Sequence, residues 1–360
     1  MKQHIVHIIF SLDTGGAENL LIDIANEQSK SEKVSVIIIN NAYSQKLVDA
    51  FLPEVRVVCL ERQANTNPVL AMIKIYSFLL FKKASFLHVH DATTLKMFPP
   101  VFKKIGLPTI FTVHDTMLDA PPSIVSRVHY LCAISHSVQE HIVQKYPGIP
   151  SVVVHNGVNV GLIQKKQSEA SGDIVKIIQV GRLSHDIKGQ DLLLDASTRL
   201  KLNGFRHSIT FAGEGASEEY LKELATNFGI TDNVEFLGNV DRNWLYQNLQ
   251  YYDILVQPSR TEGFGLTVVE GMAAGLPVLV SDNEGPFEII NRGELGYHFF
   301  SGDSVSLTSS LVDLIQNLES ETIQLMCNKA YTKVVQEYSV SQTASSYVNL
   351  IDIIQEEHYR

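Results

Sequence analysis

Glu262 and Glu270, with seven residues between them, lie in a stretch of this 360-residue sequence where carboxylates, glycines and a helix start fall together. The stretch runs Gln257-Pro258-Ser259-Arg260-Thr261-Glu262-Gly263-Phe264-Gly265-Leu266 and continues through Glu270 to Gly275. A strand is expected to end at Ser259, a glycine turn to follow, and a helix to begin near Gly265 and stop at Gly275. Such a turn leaves unbonded backbone N–H groups at a helix N-terminus, which attract anions and hydroxyl oxygens. Glu262 precedes the helix, and Glu270 falls about 6–8 Å further along it at a rise of 1.5 Å per residue. The two carboxylates are thus spaced to touch opposite ends of an extended ligand. Neither sits in sequence surroundings that obviously bury it. Either one alone reads equally well as a complement to the helix dipole, contributing ~0.3–1 kcal/mol. The pair, with Pro258-Ser259 and Gly263-Phe264-Gly265, favours a ligand site.

A second cluster, Val180-Gly181-Arg182-Leu183-Ser184-His185-Asp186-Ile187-Lys188-Gly189-Gln190-Asp191, sits where a strand turns into a helix. Arg182 and Lys188 are suited to neutralising a diphosphate whose charge grows as a bond to it breaks. Taken singly they are ordinary surface charges. Nearer the start, Asp13-Thr14-Gly15-Gly16-Ala17-Glu18 opens a helix without meeting the Gly-x-Gly-x-x-Gly dinucleotide fingerprint. By itself it is a glycine turn between strand and helix. His88-Val89-His90-Asp91 and Thr112-Val113-His114-Asp115 place histidines at two strand ends, where they would form hydrogen bonds or shuttle protons near neutrality. A metal site is the rival reading, though neither pair has the helical HExxH spacing of a zinc site. Gly213-Glu214-Gly215 follows another strand and by itself is a tight glycine turn.

These residues need strands to carry them. Short apolar runs at Ile5–Phe10, Val34–Asn40, Val55–Leu60, Phe86–His90, Thr109–Val113, Leu131–Ile134 and Ser151–Val154 alternate with helical patterns at Glu18–Gln28 and Leu70–Phe81, a polar helix after Asn40 and another after His90. That alternation predicts a parallel sheet with right-handed crossovers. After the polar, aperiodic Gln164–Asp173 the pattern restarts at Val175–Val180, His207–Ala212, Val234–Phe236, Ile254–Gln257 and Pro277–Val280, with a helix near Leu266–Ala274. Past Ser304 only helical periodicity remains, ending in a helix from about Ser341 to Glu357. The expected organisation is therefore α/β, with two Rossmann-like, doubly wound parallel-sheet domains, 1–160 and 174–340, joined by a linker over 161–173. The carboxyl ends of their strands are expected to face a central cleft, where ligands of open α/β sheets bind.

Glu262 and Glu270 in this setting resemble the Glu-x7-Glu signature of the retaining glycosyltransferases of family 4, which have the GT-B fold. The resemblance implies that Glu262 lies against the hydroxyls of the transferred sugar, that the backbone of Gly263, Phe264, Gly265 and Leu266 holds that sugar, and that Glu270 binds the ribose diol. It makes Arg182 and Lys188 the diphosphate ligands, although the spacing between these two cations varies in the family. It draws Gly15 and Gly16 into the cleft, places His114 near the transferred sugar, and puts Gly213 and Glu214 beside the nucleotide. Phe236-Leu237-Gly238-Asn239-Val240 resembles the segment whose backbone reads the base, so Asn239 and Val240 join the donor site. It also implies a last helix, about 341–360, that crosses back to the first domain, and catalysis without a metal or other cofactor. The implied reaction transfers a hexose or N-acetylhexosamine, with UDP-sugar the favoured donor, to a glycan or lipid-linked glycan in bacterial surface-polysaccharide assembly. The alternatives are a nucleotide-sugar epimerase or hydrolase on the same fold, and a non-catalytic partner subunit that binds nucleotide or glycan.

Composition narrows the classes further. The chain has a net charge of −10, divided as +2 over residues 1–160 and −12 over the rest. An acidic total argues against a nucleic-acid partner. Cys59, Cys132 and Cys327 are odd in number and widely spaced, suggesting neither disulfides nor zinc but a reducing cytoplasm. No apolar run is long enough to span a membrane. Between Ala71 and Lys104, however, lysines 74, 82, 83, 96, 103 and 104 alternate with apolar residues, including Pro99-Pro100-Val101. This is either a set of solvated lysines on core-filling helices or a surface that rests on anionic headgroups at the cytoplasmic face of a membrane.

Overall fold

The computed structural model describes residues 2–13, 15–63, 66–98, 106–167 and 172–358, apart from the side chains of 355, 357 and 358. The chain divides into two compact units, residues 1–157 with 340–360, and residues 158–339.

The first unit holds β1 (His4–Ile9), β2 (Lys33–Asn40), β3 (Arg56–Arg62), β4 (Phe86–Val89), β5 (Thr109–Val113), β6 (Tyr130–Ala133) and β7 (Ser151–Val153). All pair in parallel, in the order β3-β2-β1-β4-β5-β6-β7. Every residue of β1, β4 and β5 is buried, because helices cover both faces of a parallel sheet and its strands then read as unbroken apolar runs. The helix expected after β2 is a single turn, Gln45–Val48, and the one after β4 has six residues, Ala92–Met97. The helix after β4 starts where the Asp91 carboxylate accepts from Thr94 N–H at 2.7 Å.

The helix Val340–His358 completes this unit's core. Its Tyr347, Leu350, Ile351 and Ile354 join Ile5, Leu20, Ile24, Phe86, Ile110, Cys132 and Val154 in one buried cluster. The Tyr347 hydroxyl meets Thr112 Oγ1 at 3.0 Å, and Thr343 Oγ1 donates to the His155 carbonyl at 2.9 Å. Each fully buried aliphatic side chain in such a cluster stabilises by ~1.5–3 kcal/mol.

The second unit holds β8 (Val175–Val180), β9 (His207–Ala212), β10 (Val234–Gly238), β11 (Ile254–Gln257), β12 (Val278–Ser281) and β13 (Tyr297–Phe299). The order is β10-β9-β8-β11-β12-β13, again all parallel. The chain winds one way from β8 and the other way from β11, so the switch point lies between these two strands. β13 is not anticipated from sequence: it is a three-residue edge strand with an exposed middle residue, too short to show a period.

The boundary differs from the sequence expectation. The first unit ends at residue 157, and Val158 N–H donates to the Tyr338 carbonyl at 2.9 Å within the second unit. Residues 164–167, read as linker, are bonded into the second unit instead. Gln164 N–H donates to Tyr246, Lys166 N–H to Ala274, and Lys166 Nζ pairs with Asp253 at 2.5 Å. The rest of the expected linker, 168–171, lies outside the described residues.

Because Ile351 is fully buried in the first unit's core, Ile351→Ala is expected to destabilise the protein by about 2–4 kcal/mol. Urea unfolding followed by circular dichroism checks this; an unchanged midpoint would show that the helix adds little to the core.

Candidate functional site

The second unit gathers the charged residues at the switch point. Past β8 the chain passes Gly181 and Arg182 into a short helix, His185–Lys188, and then into Gln190–Leu202. The joint between these two helices is Gly189, with φ +67; a Cβ there would stand 2.0 Å from the Pro258 carbonyl oxygen. Only glycine lets the Lys188 turn seat directly on the end of β11. Gln179 Nε2 donates to the Lys188 carbonyl at 3.0 Å, and Gln190 Nε2 to the Arg182 carbonyl at 3.0 Å, fixing both sides of the turn.

Past β11 the loop from Pro258 to Gly265 leads into the helix Leu266–Ala273. Gly265 caps that helix at φ +100, a conformation L side chains rarely adopt. Glu262 reaches back from this loop: its Oε2 accepts from Lys188 Nζ at 2.5 Å and from Gln257 Nε2 at 3.2 Å. Its backbone N–H donates to the Glu284 carboxylate. Both Lys188 and Glu262 are mostly shielded from water, which makes this pair worth more than a surface ion pair.

Arg260 ties the two loops together. Its N–H donates to the Ile187 carbonyl at 2.7 Å, while its guanidinium donates to the His185 carbonyl at 2.6 Å and spans both Asp191 carboxylate oxygens at 2.8 and 2.7 Å. The fork holds the Arg260 side chain strongly in its charged form, the Asp191 hydrogen bonds being the main cause. Arg260 and Asp191 both lie in the quoted motifs but were assigned no part by sequence reasoning. Each charge looks like a surface residue until its partner, far away in sequence, is known.

The other expected donor residues fall around this centre. Arg182 is exposed beside it. Gly213 N–H donates to the Gly238 carbonyl at 2.8 Å and Leu183 N–H to the Glu214 carbonyl at 3.0 Å, so the 213–214 turn abuts both the Arg182 loop and the end of β10. Glu214 and Asn239 are exposed and Val240 is half-buried. Gly263, Phe264 and Gly265 are buried, whereas Leu266 and Thr267 are half-buried. Phe264 packs edge-on against Tyr338 with ring centres 5.7 Å apart. Glu270 is 7% exposed, correcting the expectation that neither glutamate is buried: its helix lies against the sheet with Val268, Val269 and Met272 fully covered.

In the first unit, Gly15 caps the helix Gly16–Ser29 with an extended backbone, φ −171, and its carbonyl accepts from Asn19 Nδ2 at 2.8 Å. The turn therefore needs no left-handed glycine at this position. Thr14 lies outside the described residues. His114 follows β5; its Nε2 is shut off from water and has no hydrogen-bond partner among the described residues. Burial lowers its pKa to about 4, against an opposing pull from Asp115. His90 is held well below its usual range by burial and by His7 and His114. Both imidazoles are neutral at pH 7, so the expectation that they shuttle protons near neutrality is corrected: desolvation has moved them out of that range.

His90 belongs to a buried polar network. Its Nε2 meets His7 Nδ1 at 2.9 Å, His7 Nε2 meets Gln28 Oε1 at 2.8 Å, and His88 Nε2 meets Thr112 Oγ1 at 2.7 Å. The rings of His88 and His90 stack 3.9 Å apart. His7, His88 and His90 present nitrogens within 4.8 Å of one another, a set with the right atoms for a metal ion. Their hydrogen bonds to one another, to Gln28 and to Thr112 already account for the arrangement as a core network, although Gln28 Nε2 is buried with no partner among the described residues.

The description "Glycosyl transferases group 1" matches residues 161–330, and "Glycosyltransferase Family 4" matches residues 14–162. The two matches cover adjacent parts of the chain, and both descriptions are of glycosyltransferases. A phosphatidyl-myo-inositol mannosyltransferase of Mycobacterium leprae is 29% identical over 210 residues, covering 58% of this chain and 54% of that one. The chain spans about half the length of the curated relatives it matches. Among solved structures, a glycosyltransferase from Rickettsia africae superposes with a TM-score of 0.82 at 17% identity, covering 98% of this chain and 99% of that one. Anabaena HepE in complex with UDP and glucose gives 0.79 at 20% identity, covering 97% and 99%. The two doubly wound sheets are those of GT-B glycosyltransferases.

Two outcomes follow from the geometry of these two units. Arg260→Ala is expected to cost about 1.5–3 kcal/mol, and Arg260→Lys to recover little, since one ammonium cannot span both Asp191 oxygens and a carbonyl. Thermal and urea melts check this, and full rescue by lysine would refute the fork. His7 has a folded pKa of about 4 against 6.5 when exposed, so unfolding takes up a proton between those values. Its contribution to stability is present above pH 6.5 and fades as pH falls toward 4, a loss of about 2 kcal/mol by pH 5. Equal urea midpoints at pH 7 and pH 5 would contradict it.

Proposed function

We propose that this chain is a retaining glycosyltransferase that moves a hexosyl or N-acetylhexosaminyl group from UDP-sugar to a glycan or lipid-linked glycan in the assembly of a cell-surface polysaccharide. The observation that carries the reading is the Lys188–Glu262 pair, fixed by Arg260 at the switch point of the second unit. An ammonium has three N–H bonds. Lys188 spends one on Glu262, orienting that carboxylate, and presents the remainder to a phosphate oxygen. Arg182, exposed on the neighbouring turn, takes the other side of the diphosphate.

On this reading the Glu262 carboxylate and the backbone from Gly263 to Leu266 receive the sugar, and Glu270, one helix further in, receives the ribose diol. Gly213, Glu214, Asn239 and Val240 line the base. Within the first unit, Gly15, Gly16 and His114 are the residues assigned to sugar binding. His114, neutral at pH 7, acts there as a hydrogen-bonding group and not as an acid.

The bond from the anomeric carbon to the phosphate oxygen breaks while the acceptor oxygen bonds to the same face of that carbon. The proton of the acceptor hydroxyl passes to the departing phosphate. Lys188 and Arg182 stabilise the charge that accumulates on that phosphate, an effect worth about 10²–10³ in rate per lost donor. No metal ion or protein nucleophile enters this scheme. Relatives whose names tie them to polysaccharide synthesis, and a neighbour solved with UDP and glucose, support the choice of donor and pathway class.

Thermal stabilisation by UDP, GDP, ADP, CMP and NAD tests the donor site. UDP at about a hundredfold its Kd should stabilise the protein by about 2.7 kcal/mol. The shift should shrink in Lys188→Ala and in Glu270→Ala; no shift with any nucleotide would remove the reading. Incubation of the UDP-sugar alone separates transfer from epimerisation or hydrolysis, since transfer leaves the donor intact without an acceptor.

A further inference from the structure

The Val69–Phe81 helix of the first unit buries only Ala71, Ile75 and Leu79. Its Phe78 ring receives the Arg56 guanidinium at 5.6 Å. The opposite face carries Val69, Leu70, Ile73, Tyr76, Leu80 and Phe81, from 42% to 85% exposed. Val69, Ile73, Tyr76 and Leu80 recur at the spacing of one helical face, with Leu70 and Phe81 beside them. A sheet-covering helix normally turns polar residues outward; a continuous apolar stripe marks an interaction surface.

The surrounding charges indicate what covers it. From Arg62 to His90 the sequence contains Arg62, Lys74, Lys82 and Lys83 and no carboxylate, in a protein of net charge −10. Arg62 is occupied, donating to the Thr66 carbonyl with its guanidinium over the Phe10 ring. Lys74 and Lys83 are exposed and Lys82 is half-buried. A second copy docked on this face by two-fold symmetry would bring like-charged lysines together. An anionic lipid surface satisfies both the stripe and the lysines.

We propose that this helix lies in the headgroup layer of a membrane containing anionic phospholipid, parallel to the surface. Phe81, Leu80, Tyr76, Ile73, Leu70 and Val69 enter the acyl boundary, and Lys74, Lys82 and Lys83 meet lipid phosphates. At 13 residues the helix is too short to cross, and no helix among the described residues is long and apolar enough to do so. The apolar component thus begins earlier than the Ala71–Lys104 stretch suggested by sequence, and 99–104 lie outside the described residues. The inference deepens the proposed function by naming the surface where a lipid-linked acceptor would be met, yet lipid binding needs neither donor nor acceptor.

Flotation of the full chain with vesicles of equal parts phosphatidylglycerol and phosphatidylcholine, and with phosphatidylcholine alone, tests it. The protein is expected to float with the anionic vesicles and much less with the neutral ones. Binding should fall at least about tenfold in Leu70→Ser/Leu80→Ser/Phe81→Ser and in Lys74→Gln/Lys82→Gln/Lys83→Gln. Phe81→Trp should shift its emission to the blue on anionic vesicles, a readout that needs no disruptive substitution. No flotation of the unaltered chain, unchanged binding in both triple variants, or an unshifted tryptophan would each overturn the proposal. A dimer in solution that the serine variant abolishes, without flotation, would assign the face to a second copy and overturn it equally. UDP-induced thermal shifts measured on the same samples report the donor site separately, so failure of one reading is distinguishable from failure of the other.

Discussion

Much of the second unit's chemistry depends on one guanidinium. Arg260 stands on the loop that carries Glu262, and it grips the helix and turn that carry Lys188 through His185, Ile187 and Asp191. Those loops leave different strands and are separated by some seventy residues of chain, so nothing local sets their distance. Three hydrogen bonds from one rigid, planar guanidinium supply that setting, with little torsional freedom left to lose. The Lys188–Glu262 contact is then the outcome of a frame already fixed, and the close seat of Gly189 on Pro258 is a second fastening of the same frame.

The first unit handles its polar interior differently. His7, His88 and His90 are all buried, and each is paired through a neutral partner, His90 with His7, His7 with Gln28, and His88 with Thr112. Neutral hydrogen bonds of this kind fix ring orientation without the desolvation cost of burying an ion. Tyr347, brought in by the last helix, bonds to Thr112 and packs 4.6 Å from the His88 ring, so the network and the core seal are one construction.

Much of the fold is legible in the sequence because parallel, doubly covered strands must be continuous apolar runs. Thr109–Val113, Val175–Val180, His207–Ala212 and Ile254–Gln257 fall where the pattern puts them. β13 does not, since three residues at a sheet edge carry no period, and the helices after β2 and β4 shrink to one or two turns because loops can be short where the crossover allows. In the site, glycines and charges near strand ends are readable as candidates. The burial of Glu270 and the Arg260–Asp191 fork are not, because each depends on which distant segment packs against it. The same limit applies to the outer face of Val69–Phe81: an apolar helix reads as core until the structure shows which side is covered.

The division of the chain has a consequence for how the protein is made. The second unit is one continuous stretch, 158–339, whereas the first needs residues from 340 onward to close its core. During translation at ~5–20 residues per second, the seven-stranded sheet waits on the order of 10–40 seconds beside the ribosome before Tyr347, Leu350, Ile351 and Ile354 emerge. In that interval Ile5, Leu20, Ile24, Phe86 and Ile110 lack the last helix that completes their cluster. The later-made unit of this chain is therefore the one positioned to finish folding first.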